Sequence, residues 1–147
     1  MTPALTLYFD GRCPFCVRGM AQLRRWDAAG RLAFADIAAP GFDPAVLGVD
    51  MAALNRELHG RADTGAVLVG IDCMLAAYTL AGQGWRVLPL RVRLLRPLLA
   101  RAYRWFARHR YQISKGLGMR LPGACDGATC AVGNPFLKNH PTRSKAP

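Results

Sequence analysis

Tyr8-Phe9-Asp10-Gly11-Arg12-Cys13-Pro14-Phe15-Cys16 decides the reading of this chain. The apolar run Leu5 to Phe9 stops at Asp10-Gly11, which predicts a short strand ending in a turn. Pro14 then suits the first turn of a helix, where its missing N–H would have no intrahelical partner. The Cys-x-x-Cys pair is therefore expected at a helix N-terminus. Thiols at that spacing can reach each other. The unpaired backbone N–H groups and the positive end of the helix dipole face the first of them. Such placement lowers a thiol pKa from about 8.5 into roughly the 3.5–7.5 range. Arg12 adds a cation beside Cys13. Cys13, at an exposed helix tip, is expected to be the attacking thiolate. Cys16, one turn deeper, is expected to resolve the mixed disulfide.

The same spacing also begins many zinc sites. In those a second ligand pair follows within about 20 residues, whereas the next cysteine here is Cys73. Redox chemistry is therefore favoured over metal binding, and no metal site is assigned.

Outward from this motif, Pro14 to Ala28 reads as a helix with Val17, Met20, Leu23 and Trp26 on one face. Leu32 to Ile37 reads as a second strand, giving β-α-β with a parallel strand pair. Asp50 can cap a helix from Met51 to about Arg56. Glu57 to Arg61 and Ala66 to Val69 read as a hairpin turning at Ala62-Asp63-Thr64-Gly65. Asp72 can cap a helix from Cys73 to Leu80. Leu88 to about Leu99 reads as an arginine-flanked helix that Pro97 kinks or restarts. Arg101 to about Lys115 reads as the last helix. The expected organisation is one α/β domain over 1–115 and a loosely ordered basic tail over 116–147 that carries Cys125 and Cys130.

The 147 residues, 52% of them hydrophobic, suit one folded domain rather than a disordered chain. No basic n-region or cleavage site precedes the strand at Ala4, so a cytoplasmic protein is expected. There cysteines stay reduced and a Cys-x-x-Cys is more often catalytic than structural. Five cysteines, an odd number, also argue against a fully paired disulfide framework. The net charge of +11 comes mainly from arginine. Codon bias accounts for it most simply. An anionic partner, nucleic acid or membrane surface, is the alternative. Arginines interrupt every apolar run between 86 and 110, so no transmembrane span is expected.

The element order is that of the thioredoxin fold, with a β-α-β and β-β-α core plus C-terminal helices. Cys13-Pro14-Phe15-Cys16 resembles the CPYC motif of glutaredoxins. Val69-Gly70-Ile71-Asp72 is similar to their Gly-Gly-x-Asp turn. Over roughly its first 115 residues the chain resembles the DCC family of thiol-disulfide oxidoreductases. The residues that carry the likeness are Asp10-Gly11-x-Cys13-Pro14-x-Cys16, Leu58-His59, Gly70-x-Asp72 and Tyr103 to Tyr111. The resemblance implies a thioredoxin-like fold and disulfide exchange with protein or low-molecular-weight disulfides. No bound cofactor is implied, with glutathione a candidate co-substrate held by Gly70 and Asp72. The cis-proline of thioredoxins is missing, since no proline lies between Pro44 and Pro89. Counting back from Gly70 puts His59 in its place, where the ring could take a proton from Cys16 or stabilise the Cys13 thiolate.

Other side chains have two readings each. Asp10 is a helix cap or a proton acceptor for the resolving thiol. Arg110, with Arg108, either binds an anionic substrate group or faces solvent. Tyr103, Trp105, Phe106 and Tyr111 are expected in the core, and Cys73 as a small buried hydrophobe. Cys125 and Cys130 are a candidate redox relay, with metal binding together with His140, or no role, as the alternatives. The competing functional readings are a metal-handling protein using Cys13 and Cys16, and a basic module for nucleic acid or anionic membrane.

Overall fold

The computed structural model describes residues 2–119. At its centre four strands, β1 (Leu5–Phe9), β2 (Leu32–Asp36), β3 (His59–Ala62) and β4 (Val67–Val69), form one sheet in the order β2-β1-β3-β4. β1 and β2 run parallel, with helix α1 (Pro14–Trp26) between them in the chain. β3 lies antiparallel to β1 and pairs with β4 in a hairpin. Helices α2 (Met51–Arg56), α3 (Ile71–Leu80) and α4 (Arg96–Gly116) complete the fold. This is the expected mixed α/β, thioredoxin-like arrangement with added C-terminal helix. Cys125 and Cys130 lie outside the described residues.

Strand alternation decides what each face of the sheet covers. Leu5, Leu7 and Phe9 of β1 pack against Val17, Met20 and Leu23 of α1 and Cys73 and Ala77 of α3. Each fully buried leucine there contributes about 1.5–3 kcal/mol. Tyr8 turns the other way and joins Ile37, Leu47 and Leu54. Gly60, opposite Leu7, has no side chain because a Cβ would sit 2.7 Å from Cys73 Sγ. Cys73 is buried there as the small apolar side chain expected, and burial pushes its thiol up to about 12.

Several boundaries differ from the sequence reading, and three of the differences have a clear physical cause. α1 ends at Trp26, two residues early, because Asp27 turns its carboxylate onto the N–H groups of Arg31 and Leu32, at 3.0 and 2.7 Å. α3 begins at Ile71, and its N-cap is Gly70 rather than Asp72, which lies inside the first turn. The helix expected over Leu88 to Leu99 does not form. Residues Gly84–Arg91 make 3-10 turns, since Pro89 lacks an N–H and crowds the residue before it. Leu88, Val92 and Leu95 are exposed as a result. Pro97 then sits in the first turn of α4, which runs unbroken for 21 residues.

The inward stripe of α4 is Tyr103, Ala107, Arg110 and Ser114, at helical steps of four, three and four. Trp105, 60% exposed, and Tyr111, 46% exposed, fall off this stripe and are not core residues. Phe106 is half-buried and meets Phe15 of α1, ring centroids 4.7 Å apart. This contact lays α4 across the N-terminal end of α1.

Candidate active site

The loop after β1 is held from both sides. Gly11 N–H donates to Asp36 Oδ1 at 2.8 Å, and the N–H of Ala38 donates to the same oxygen at 2.8 Å. A Cβ on Gly11 would lie 1.9 Å from Asp36 Oδ2, so only glycine fits at this turn. Asp36, at the end of β2, thus fixes the entry to α1. Nothing local in the sequence marks it for that role.

Cys13 is itself the N-cap of α1. Its sulfur accepts the Cys16 backbone N–H at 3.3 Å and the Cys16 thiol at 2.7 Å. The thiol hydrogen bond is the main cause that brings the Cys13 thiol down from 9.0 to about 7. Burial opposes it, while the Cys16 N–H and the positive charge of Arg110 add to it. Cys16 moves the other way. Its proton is held by Cys13, burial disfavours its anion, and the Cys13 charge repels a second one. On its inner side Cys16 lines an apolar cavity of about 120 Å³ with Phe15, Met20, Tyr103 and Phe106.

Two expectations about Cys13 are corrected here. The residue is 0% exposed rather than displayed on a helix tip, because its sulfur folds under the first turn as a cap. The cation acting on it is Arg110 of α4, not the neighbouring Arg12, whose side chain is exposed.

Arg110 is 7% exposed and donates from Nη2 to Asp10 Oδ2 at 3.1 Å. Tyr111 O–H donates to the same oxygen. The Asp10 Oδ1 accepts the Arg12 backbone N–H at 2.9 Å. Asp10 therefore does not cap α1. Its carboxylate joins the active-site loop to α4 across 100 residues of chain. Arg110 Nε is buried without a hydrogen-bond partner.

His59 opens β3 opposite Tyr8. Direct cross-strand partners share a face, so its ring lies on the Tyr8 side, away from the face where Gly60 meets Cys73 and Leu7. His59 Nδ1 is 2.9 Å from the Glu57 carbonyl. The register thus points the ring away from the α1 face of the sheet, against the expectation that it approaches the sulfurs.

Gly70, at φ +60°, is where the chain turns from β4 into α3, and a Cβ would lie 2.4 Å from Glu57 Oε2. Its N–H already donates to the Leu58 carbonyl at 2.7 Å, so it does not offer itself to a ligand. Asp72 is ion-paired with Arg96 on the surface. Asp72 and Arg96 border a depression that shares Glu57 and Tyr103 with the dithiol cavity but holds neither cysteine.

Two thiols in contact, one acidified and one held protonated, with a buried cation beside them, form a dithiol poised for disulfide exchange. The profile of the DCC1-like thiol-disulfide oxidoreductases matches residues 7–116, from within β1 to the end of α4. The chain belongs to the DCC1-like thiol-disulfide oxidoreductase family. No curated protein and no solved structure matches it. Within this DCC1-like domain the dithiol, Asp10 and Arg110 all fall inside the matched span. Among the described residues no helix is long and apolar enough to cross a membrane.

Proposed function

We propose that the protein catalyses thiol-disulfide exchange through Cys13 and Cys16, on protein or low-molecular-weight disulfides. The observation that carries the reading is the 2.7 Å contact between the two sulfurs, with acidities displaced in opposite directions. Groups pushed apart in this way take different roles in one reaction. The Cys13 thiolate attacks a disulfide R–S–S–R′ and forms Cys13–S–S–R. The leaving R′ sulfur takes the Cys16 proton and departs as a thiol. The Cys16 thiolate then attacks the Cys13 sulfur, closes the Cys13–Cys16 disulfide and expels R–S⁻. Two electrons have passed from the dithiol to the substrate. A thiol such as glutathione returns them by the same exchange in reverse.

Arg110 supports the Cys13 anion and Asp10 positions Arg110. Cys13 has no exposed surface, its sulfur being folded under the first turn of α1, so that turn opens before a substrate sulfur reaches it. The guanidinium beside both sulfurs repels a metal cation, which disfavours the metal-handling alternative. A reducing compartment such as the cytoplasm is where a Cys-x-x-Cys of this kind is more often catalytic than structural. The test is reduction of a small disulfide by the wild-type chain and by Cys13→Ser. Activity is expected to vanish in the variant. Retention of more than about a tenth of it would remove Cys13 as the nucleophile.

A further inference from the structure

Resting on Cys13 as the attacking sulfur, we propose that the substrate is a low-molecular-weight disulfide bearing carboxylates, bound in an arginine cleft beside the dithiol. The cleft has a volume of about 610 Å³, and although neither cysteine lines it, Arg12 borders it and it shares Asp10, Ala107 and Arg110 with the cavity that Cys16 lines. That volume lies in the range of small-molecule sites, roughly 300–1,000 Å³. Three separate parts of the chain supply its charge: Arg12 before α1, Arg56 at the end of α2, and Arg108 and Arg110 on α4. Asp10 is the one acid lining it, and Arg110, Tyr111 and the Arg12 N–H already occupy its oxygens.

Among the described residues the guanidinium groups of Arg12, Arg56 and Arg108 have no hydrogen-bond or ion-pair partner. Arg110 lines the same cleft, is 7% exposed and keeps an unpartnered Nε. Like charges gathered in a concave site repel one another and focus a positive field. An anion relieves the repulsion, and a carboxylate can take two parallel N–H donors from one guanidinium. Ile37, Ala38 and Met51 give the floor an apolar strip for an aliphatic arm. A dicarboxylate disulfide held at one end by these arginines directs its sulfurs toward the N-terminus of α1. The departing thiol leaves with its own carboxylate, so the exchange described above balances unchanged.

The experiment compares kcat/KM of the full chain on three disulfides of similar size: dianionic dithiodipropionate, neutral bis(hydroxyethyl) disulfide and dicationic cystamine. At low ionic strength the dianion is expected to be preferred over the neutral compound by at least about tenfold, roughly 1.4 kcal/mol. The preference should shrink as salt rises. In the double variant Arg56→Gln, Arg108→Gln the ratio should fall toward one, with the Cys13 titration midpoint unmoved. Arg56→Lys with Arg108→Lys should keep most of it. Equal rates on the three disulfides in the wild type would overturn the proposal, as would a ratio untouched by the double variant. Preference for a disulfide-bridged acidic peptide over the small dianion would overturn the small-molecule assignment. Failure to turn over any disulfide would instead overturn the dithiol reading, and this proposal with it.

Discussion

Cys16→Ser stops turnover and leaves the substrate covalently attached to Cys13. The serine hydroxyl can still donate to the Cys13 sulfur, so the main cause of its acidity survives the change. What disappears is the second sulfur, without which the mixed disulfide has no internal resolving group. Steady-state exchange should fall on the order of a hundredfold or more, while the first attack in a single turnover stays within about tenfold. Intact-protein mass spectrometry should find one substrate thiol added, and peptide mapping should place it on Cys13. Cys16→Ala removes the donor as well, so it should also raise the Cys13 pKa. An adduct on Cys73, or none at all, would contradict the assigned roles.

Arg110→Met carries the second large effect, and it acts on stability and chemistry together. The ion pair with Asp10 is buried at both ends. Removing one partner strands the other charge, which costs about 3–5 kcal/mol. The same change withdraws positive charge from Cys13, so its pKa rises and attack slows at neutral pH. Asp10→Asn in the same chain separates the two consequences. The double variant should regain most of the lost stability by denaturant unfolding. It should regain only part of the wild-type thiolate titration, because the Arg110 charge lowers the Cys13 pKa by more than the Asp10 charge raises it.

In the wild type the depressed Cys13 pKa fixes the sign of the pH dependence. A thiol that ionises at about 7 when folded and near 9.0 when unfolded adds stability as pH rises between these values. That contribution is gone once the pH falls below about 7. Full recovery of the wild-type thiolate titration in the double variant, or no loss of stability in Arg110→Met, would mean that the Asp10–Arg110 pair is not the support assigned to it.

Most of the fold is legible in the sequence because its signals are local. The apolar run Leu5 to Phe9, the Asp10-Gly11 turn, Pro14 at the helix start and the hairpin near Gly65 each act within a few residues. The site is legible only in part. Cys13 and Cys16 are marked by spacing, but the groups that tune them come from elsewhere. Arg110 reaches Asp10 across 100 residues, and no local pattern separates it from Arg104 or Arg108. Tyr111 reads as core by composition, yet helical phase puts it at the rim, where its hydroxyl meets Asp10.

Long-range pairing also explains the misread residues. His59 is placed by counting across a hairpin, whereas side-chain direction depends on strand register, and here the register pairs it with Tyr8. Asp72 has the sequence of a cap, but Gly70 takes the turn into α3 and frees Asp72 to pair with Arg96.

The central claim is that Cys13 and Cys16 form one two-electron couple. Its most direct test is equilibration of the full chain in glutathione buffers of graded potential, followed by acid quenching and peptide mass spectrometry. The account predicts a reversible Cys13–Cys16 bridge, with a midpoint between roughly −270 and −120 mV, the span of dithiol oxidoreductases. Peptides containing Cys13 and Cys16 that remain unbridged across that whole range would contradict it.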